Sequence, residues 1–234
     1  MIELRTVTKR FGSTPVLRGV SLTIAPGSAV AILGPNASGK TTLLKCILGL
    51  TRPDAGDILI NGLPIAESAE YRRWIGYMPQ HPHFPENLRV AEVIELVKHV
   101  RGLPATAEAP YVELFQLGTE LHKPVRALSG GTRQKLSAVL AFMAEPPVLI
   151  LDEPTAGLDP VAVHTLKTEL QHRRQQGCTI VLTTHVLNDV PELATEVVFL
   201  LEGRIAFREH VSVLFAETNS RHFSEALIRR LQNS

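Results

Sequence analysis

Apolar residues follow two rhythms along this chain. Short runs of strand character occupy residues 1–10, 16–17, 20–24, 28–33, 57–60, 75–78, 148–151, 178–184 and 196–201. The runs at 28–33, 148–151 and 178–184 are apolar almost throughout, as in strands buried on both faces. Helical spacing appears at Leu43, Leu44, Ile47 and Leu48, predicting a helix over 40–50. It returns at Val90, Val93, Ile94, Val97 and Val100 for a helix over 90–101, and more briefly at 109–117 and 186–194. A helix runs from Pro160, with Asp159 as its cap, to the stop at Gly177. Phe223, Leu227, Ile228 and Leu231 predict a small amphipathic helix in the tail. Turns are expected at 11–13, 26–27, 51–56 and 202–203, and Asn61-Gly62 signals a hairpin.

Strands alternating with helices predict an α/β fold whose mostly parallel sheet is covered on both faces. At Gln80 the character changes, and residues 81–145 read as a helical subdomain inserted into that body. The expectation is one domain over 1–234 with a C-terminal extension at 203–234. In such a sheet, ligands collect at the carboxyl ends of the strands. Gly34, Gln80, Asp152 and His185 each lie just past a predicted strand end.

Bulk composition narrows the function classes. With 234 residues and 44% hydrophobic content, the chain can bury a sizeable core. A net charge of +1 provides no basic field for nucleic acid. The two cysteines, Cys46 and Cys178, read as buried small apolar residues in a reducing compartment. The chain opens without a leader pattern, and no apolar run is long enough to span a bilayer. A soluble chain is expected, for which membrane work requires another chain. His81 and His83 flank Pro82 and read as exposed loop histidines, because a metal site would need further ligands.

The chemistry centres on residues 34–42, GPNASGKTT, which contain G-x-x-x-x-G-K-[ST] between a predicted buried strand and a predicted helix start. A helix start carries unpartnered N–H groups and partial positive charge. Glycines let the preceding loop wrap its own N–H groups around an anion. Lys40 adds a cation for outer phosphates, and the Thr41 hydroxyl is placed for Mg²⁺. Ser129, Gly130 and Gly131 offer a second anion site of the same kind at another helix start. Adjacent carboxylates at Asp152 and Glu153 are costly to bury without a cation or a proton. Asp152 suits the metal and Glu153 an attacking water, with His185 as a donor near the outer phosphate and Gln80 reaching metal or water.

In order along the chain, Phe11, GPNASGKTT, Gln80, LSGGT at 128–132, LILDEP at 149–154, Ala156-Gly-Leu-Asp159 and His185 resemble the ATP-binding-cassette (ABC) ATPases over almost the whole length. The resemblance implies a P-loop NTPase fold with an antiparallel β layer at the opening. It implies Phe11, in place of the more usual Tyr, stacked on adenine with Val16 beside it. Gly34, Pro35, Asn36, Ala37, Ser38, Gly39, Lys40, Thr41 and Thr42 would surround the phosphates. Thr41, Gln80 and Asp152 would hold Mg²⁺, and Glu153, His185, Gln80 and Lys40 would carry hydrolysis of ATP to ADP and phosphate. In the family two chains pair head to tail, so that Ser129, Gly130, Gly131 and Asp159 of one copy complete the other's site. The implied partners are a second copy and an integral-membrane permease, with the chain peripheral on the cytoplasmic face of the inner membrane.

Residues 75–80 (IGYMPQ), 85–88 (PENL) and 128–135 (LSGGTRQK), followed by Ala141-Phe142, further resemble the ATPase of the transporter that supports copper-site maturation of nitrous oxide reductase. That resemblance implies a periplasmic accessory protein. Two positions depart from the family pattern: Ala37 replaces a usual Gly, and Thr132 a usual Gln. The competing classes are a soluble repair or translation cassette, a generic drug or lipid exporter ATPase, and a binding module that does not hydrolyse. Repair and translation cassettes carry long coiled-coil inserts or fused cassettes, and the presence of Glu153 argues against the binding module.

Overall fold

The computed structural model describes residues 1–218, 220 and 222–232. Strands β1 (Ile2–Phe11), β2 (Thr14–Ile24) and β3 (Ala29–Leu33) lead to helix α1 (Lys40–Ile47). Strands β4 (Ala55–Ile60), β5 (Leu63–Pro64) and β6 (Ile75–Met78) follow. Helices α2 (Val90–Arg101), α3 (Ala109–Leu114) and α4 (Gly130–Phe142) lie in the chain between β6 and β7 (Val148–Asp152). The chain continues through α5 (Pro160–Gln175), β8 (Thr179–Thr183), α6 (Val190–Leu193), β9 (Glu196–Leu201), β10 (Arg204–His210), α7 (Val211–Thr218) and α8 (Phe223–Gln232). Of the extension expected at 203–234, residues 219, 221, 233 and 234 lie outside the described residues.

One sheet is antiparallel, in the order β2-β1-β4-β5. The other runs β10-β9-β3-β8-β7-β6, parallel except for its β10 edge. Every residue of β3, β7 and β8 is buried. Their successive side chains point to opposite faces. Val30, Ile32, Val148, Ile150, Val181, Val198 and Leu200 face a core shared with α1 and the antiparallel sheet. Ala29, Ala31, Leu33, Leu149, Leu151, Ile180, Leu182 and Val197 face a second core under the helices. Parallel register brings the carboxyl ends of β3, β6, β7 and β8 to one edge of the molecule. Arg208 on β10 links the two sheets, donating to Glu196 at 2.7 Å and to the Thr23 carbonyl at 2.8 Å.

Several expectations need correction. The first turn is tighter than predicted: Phe11 belongs to β1, and β2 runs unbroken from Thr14. Strand β4 begins at Ala55, inside the predicted turn cluster. Helix α1 stops at Ile47, short of residue 50, because Gly49 takes φ 63° and the Leu50 N–H turns back to the Lys45 carbonyl. A Cβ on Gly49 would sit 2.0 Å from the Tyr71 hydroxyl, so the stop is sterically set. Helix α3 ends at Leu114, just before the left-handed Gln116. The stretch 186–194 is a 3₁₀ turn, Leu187–Asp189, followed by the single turn of α6. Strand β10 and helix α7 escaped the pattern altogether. The Asn61-Gly62 hairpin is present between β4 and β5, both residues at positive φ.

Gly76 on β6 lies against α4, and a Cβ there would meet the Ala141 carbonyl oxygen at 2.2 Å and Pro146 Cγ at 2.8 Å. Gly76→Ala should therefore cost about 1–3 kcal/mol by overpacking. Denaturant unfolding checks this; an unchanged midpoint would show that α4 can move away freely.

Candidate functional site

Strand β3 ends at Leu33 and α1 begins at Lys40, so residues 34–39 form a tight loop at the sheet edge. Gly34 has φ 150°, and a Cβ on it would lie 2.1 Å from the Leu200 carbonyl oxygen. Only glycine fits there, and this close approach pins the loop against β9. Gly39, at φ 107°, starts α1 with no side-chain cap. The first amides of α1 are left for a bound anion, the arrangement by which helix starts take phosphate. Ser38 Oγ is also buried without a hydrogen-bond partner. Lys40 Nζ donates to the Gly34 carbonyl at 2.8 Å and to that of Pro35 at 3.0 Å, curling over the loop that would receive the anion. Burial holds the Lys40 ammonium below its ordinary pKa, opposed by the Glu153 and Asp152 charges.

These groups open into a cleft of about 350 Å³ lined by Phe11, Val16, Asn36, Ala37, Ser38, Gly39, Lys40, Thr41, Thr42, Gln80, Asp152 and Glu153. Phe11 is 53% exposed, so its ring is open to whatever occupies the cleft. Asp152, the last residue of β7, is buried and accepts from the Thr183 hydroxyl at 2.5 Å. The same hydroxyl accepts from the Glu153 N–H at 3.1 Å. Glu153 sits at φ 52°, a left-handed conformation that a non-glycine residue keeps only when its surroundings over-determine it. Its Oε2 accepts from the His185 N–H at 3.1 Å and lies 2.8 Å from His185 Nδ1. Burial, with a contribution from Asp152, pushes the Tyr77 hydroxyl up to about 12.

Thr41, Gln80 and Asp152 supply a hydroxyl, an amide and a carboxylate to the same cleft. This hard-oxygen set fits Mg²⁺, which takes one or two carboxylates and completes its shell with phosphate and water. Thr183 is the residue that motif reasoning missed. Its only trace was register, since it lies beside Asp152 on the neighbouring strand.

Ser129, Gly130, Gly131 and Asp159 do not line this cleft. Ser129 caps α4, accepting from the Thr132 N–H at 3.1 Å, and its hydroxyl lies 2.8 Å from that of Thr132. Thr132 thus strengthens the cap. Asp159 caps α5 through the Ala162 N–H at 2.9 Å and pairs with Lys135 at 2.8 Å. Gly131 packs on Gly157, whereas a Cβ on Gly130 would meet nothing within 4 Å. His81 and His83 are exposed. Cys46 and Cys178 are free and buried, each pushed up to about 11 by burial.

The family model described as "ABC transporter" matches residues 17–156. The Nod factor export ATP-binding protein I of Burkholderia lata is 38% identical over 208 residues, covering 87% of this chain and 68% of that protein. Its namesake from Rhizobium meliloti is 36% identical over 208 residues, covering 87% and 62%. Among solved structures, an ATP-binding subunit of an ABC transporter superposes with a TM-score of 0.90 at 30% identity, covering 98% of each chain. A dimeric ATP-binding cassette in a post-hydrolysis state, bound to ADP and Pi, superposes at 0.83 with 25% identity, covering 90% of this chain and 98% of that one.

Ala37, in the loop, is left-handed at φ 62°. Removing its Cβ relieves about 1–2 kcal/mol of backbone strain. The greater freedom of glycine in the unfolded chain takes back about 0.5–1 kcal/mol. Ala37→Gly should therefore raise the melting temperature by a few degrees in thermal unfolding, whereas a lower one would show that the methyl group packs favourably.

Proposed function

The chain belongs to the ABC transporter family as an ATP-binding subunit that hydrolyses ATP, and we propose that two copies work head to tail on a membrane permease. One observation carries this reading. The phosphate loop, the two carboxylates, Gln80 and the exposed Phe11 share one cleft, while the second glycine-rich helix start lies outside it. A single chain therefore holds half of each grip. Two-fold pairing would bring Ser129, Gly130, Gly131 and Asp159 of one copy over the cleft of the other, giving two equal sites.

In this reading Phe11 and Val16 take the adenine, the loop amides and Lys40 hold the phosphates, and Glu153 orients and polarises the attacking water. His185, already beside Glu153, holds that carboxylate in place and faces the outer phosphate. Magnesium bound by Thr41, Gln80 and Asp152 neutralises charge on the phosphates. The helical segment 81–145 carries the Ser129–Gly131 turn, and β10, α7 and α8 form an extension packed on the body. Among the described residues no helix is long and apolar enough to cross a membrane. We place the chain peripherally on the cytoplasmic face, with the permease docking near the Gln80 loop and no nucleic acid partner.

For the cargo, the wording of residues 75–80, 85–88 and 128–135 supports copper-centre assembly of nitrous oxide reductase, with a periplasmic accessory protein. The Nod factor export names of its relatives support a second reading, an exporter of an organic cargo. Deleting the chain in its source organism separates them. The first reading expects a reductase lacking copper, and a fully metallated enzyme would rule it out.

Two variants test the site. Glu153→Gln should bind ATP as wild type does and lose turnover by several orders of magnitude; wild-type hydrolysis would exclude Glu153 from the chemistry. Gly130→Val has open space on its own chain. It should melt normally yet fail to dimerise with ATP or hydrolyse it, and full activity would refute capping by a second copy.

A further inference from the structure

Phe11 offers its ring to the cleft without a hydroxyl, so no hydrogen bond from the side chain can fix the ring plane. What fixes it lies one turn of the pleat away. Lys9 is two residues upstream on the same face of β1. Its ammonium stands over the Phe11 ring, 5.5 Å from the centroid. A cation there engages the negative face of the ring. Lys9 Nζ is itself held by Asp54 Oδ1 at 2.8 Å.

Asp54 does more than hold Lys9. Its second oxygen accepts from the Arg10 N–H at 2.6 Å, and its own N–H donates to the Thr8 carbonyl at 2.9 Å. Three consecutive residues leading to Phe11 are thus tied to one aspartate. That aspartate ends the short turn that leaves α1, whose Leu50 and Thr51 N–H groups fold back to the Lys45 carbonyl at 2.9 and 3.1 Å. The base platform belongs to the antiparallel sheet and the phosphate loop to the parallel one. Asp54 ties the end of the first to the turn that leaves the helix beginning at the second.

We propose that Asp54 and Lys9 are positioning residues for the purine base of the nucleotide: Asp54 sets the base platform relative to the phosphate-binding helix, and Lys9 occupies one face of Phe11 so that the base takes the other. This rests on Phe11 being the base platform, and the test separates the two claims. Lys9→Met keeps the side-chain length and removes the charge. If the cation holds the ring plane that the base meets, its removal leaves the ring to be ordered on binding, and ATP binding should weaken about two- to fivefold.

Calorimetric titration with ATP and with inorganic tripolyphosphate, which has no base, provides the readout. Lys9→Met and Asp54→Ala should each weaken ATP while tripolyphosphate stays within about twofold of wild type, and Lys9→Arg should restore ATP affinity. If tripolyphosphate weakens in parallel, the residues act through the phosphate field or the fold, and the proposal falls. It falls equally if ATP affinity is unchanged in Lys9→Met. Phe11→Ala is the control. If it loses ATP affinity while Lys9→Met does not, the base platform stands and the positioning role fails; if it binds ATP normally, both fail.

Discussion

The first amides of α1 have no side-chain partner, and the surrounding fold keeps them that way. An uncapped helix start inside a protein is unfavourable unless water or a ligand completes it. Here the loop before it is wedged by Gly34 against the Leu200 carbonyl, with no room for a Cβ at that position. Lys40 satisfies itself on loop carbonyls instead. The result is a small region of concentrated positive potential whose natural complement is a polyphosphate.

The two buried carboxylates complete the balance of charge. Asp152 and Glu153 would repel each other and any anion if they were not held by hydrogen bonds and faced by a cation. Thr183 donates its hydroxyl to the Asp152 carboxylate and accepts from the Glu153 N–H, while the His185 N–H donates to the Glu153 carboxylate. The left-handed backbone of Glu153 turns its side chain toward His185 and away from the strand direction. Parallel strand register makes this possible, because it delivers side chains distant in sequence to one edge at defined heights.

Much of this was legible in the residues themselves. The sequence of buried strand, glycine loop and apolar-faced helix around residues 28–50 is a local pattern, and so is the pair of carboxylates ending an apolar strand. The Asn61-Gly62 turn likewise declares itself through two residues that tolerate positive φ. What stayed hidden depends on long-range pairing. Strand β10 (RIAFREH) offers only Ile205 and Phe207 as large apolar residues, and its pairing with β9 slips between them, which no local rule can anticipate. Helix α7, VSVLFAET, is apolar on too many sides to show a helical stripe. Thr183 and Asp54 look like ordinary strand and turn residues until the fold sets them beside Asp152 and Lys9.

The turn between β9 and β10 closes the back of the nucleotide loop. Its Gly203 N–H donates to the Ser38 carbonyl, its carbonyl accepts from the Arg18 N–H, and a Cβ there would meet the Val16 carbonyl at 2.2 Å. The loop at residues 34–39 is therefore braced by a turn made much later in the chain, at Gly203. During synthesis on the ribosome, a nascent chain carries the whole phosphate motif long before it has the brace. The braced loop is complete only once the β9–β10 turn has been made, and a translation product stopping before Gly203 would have the motif residues without that brace.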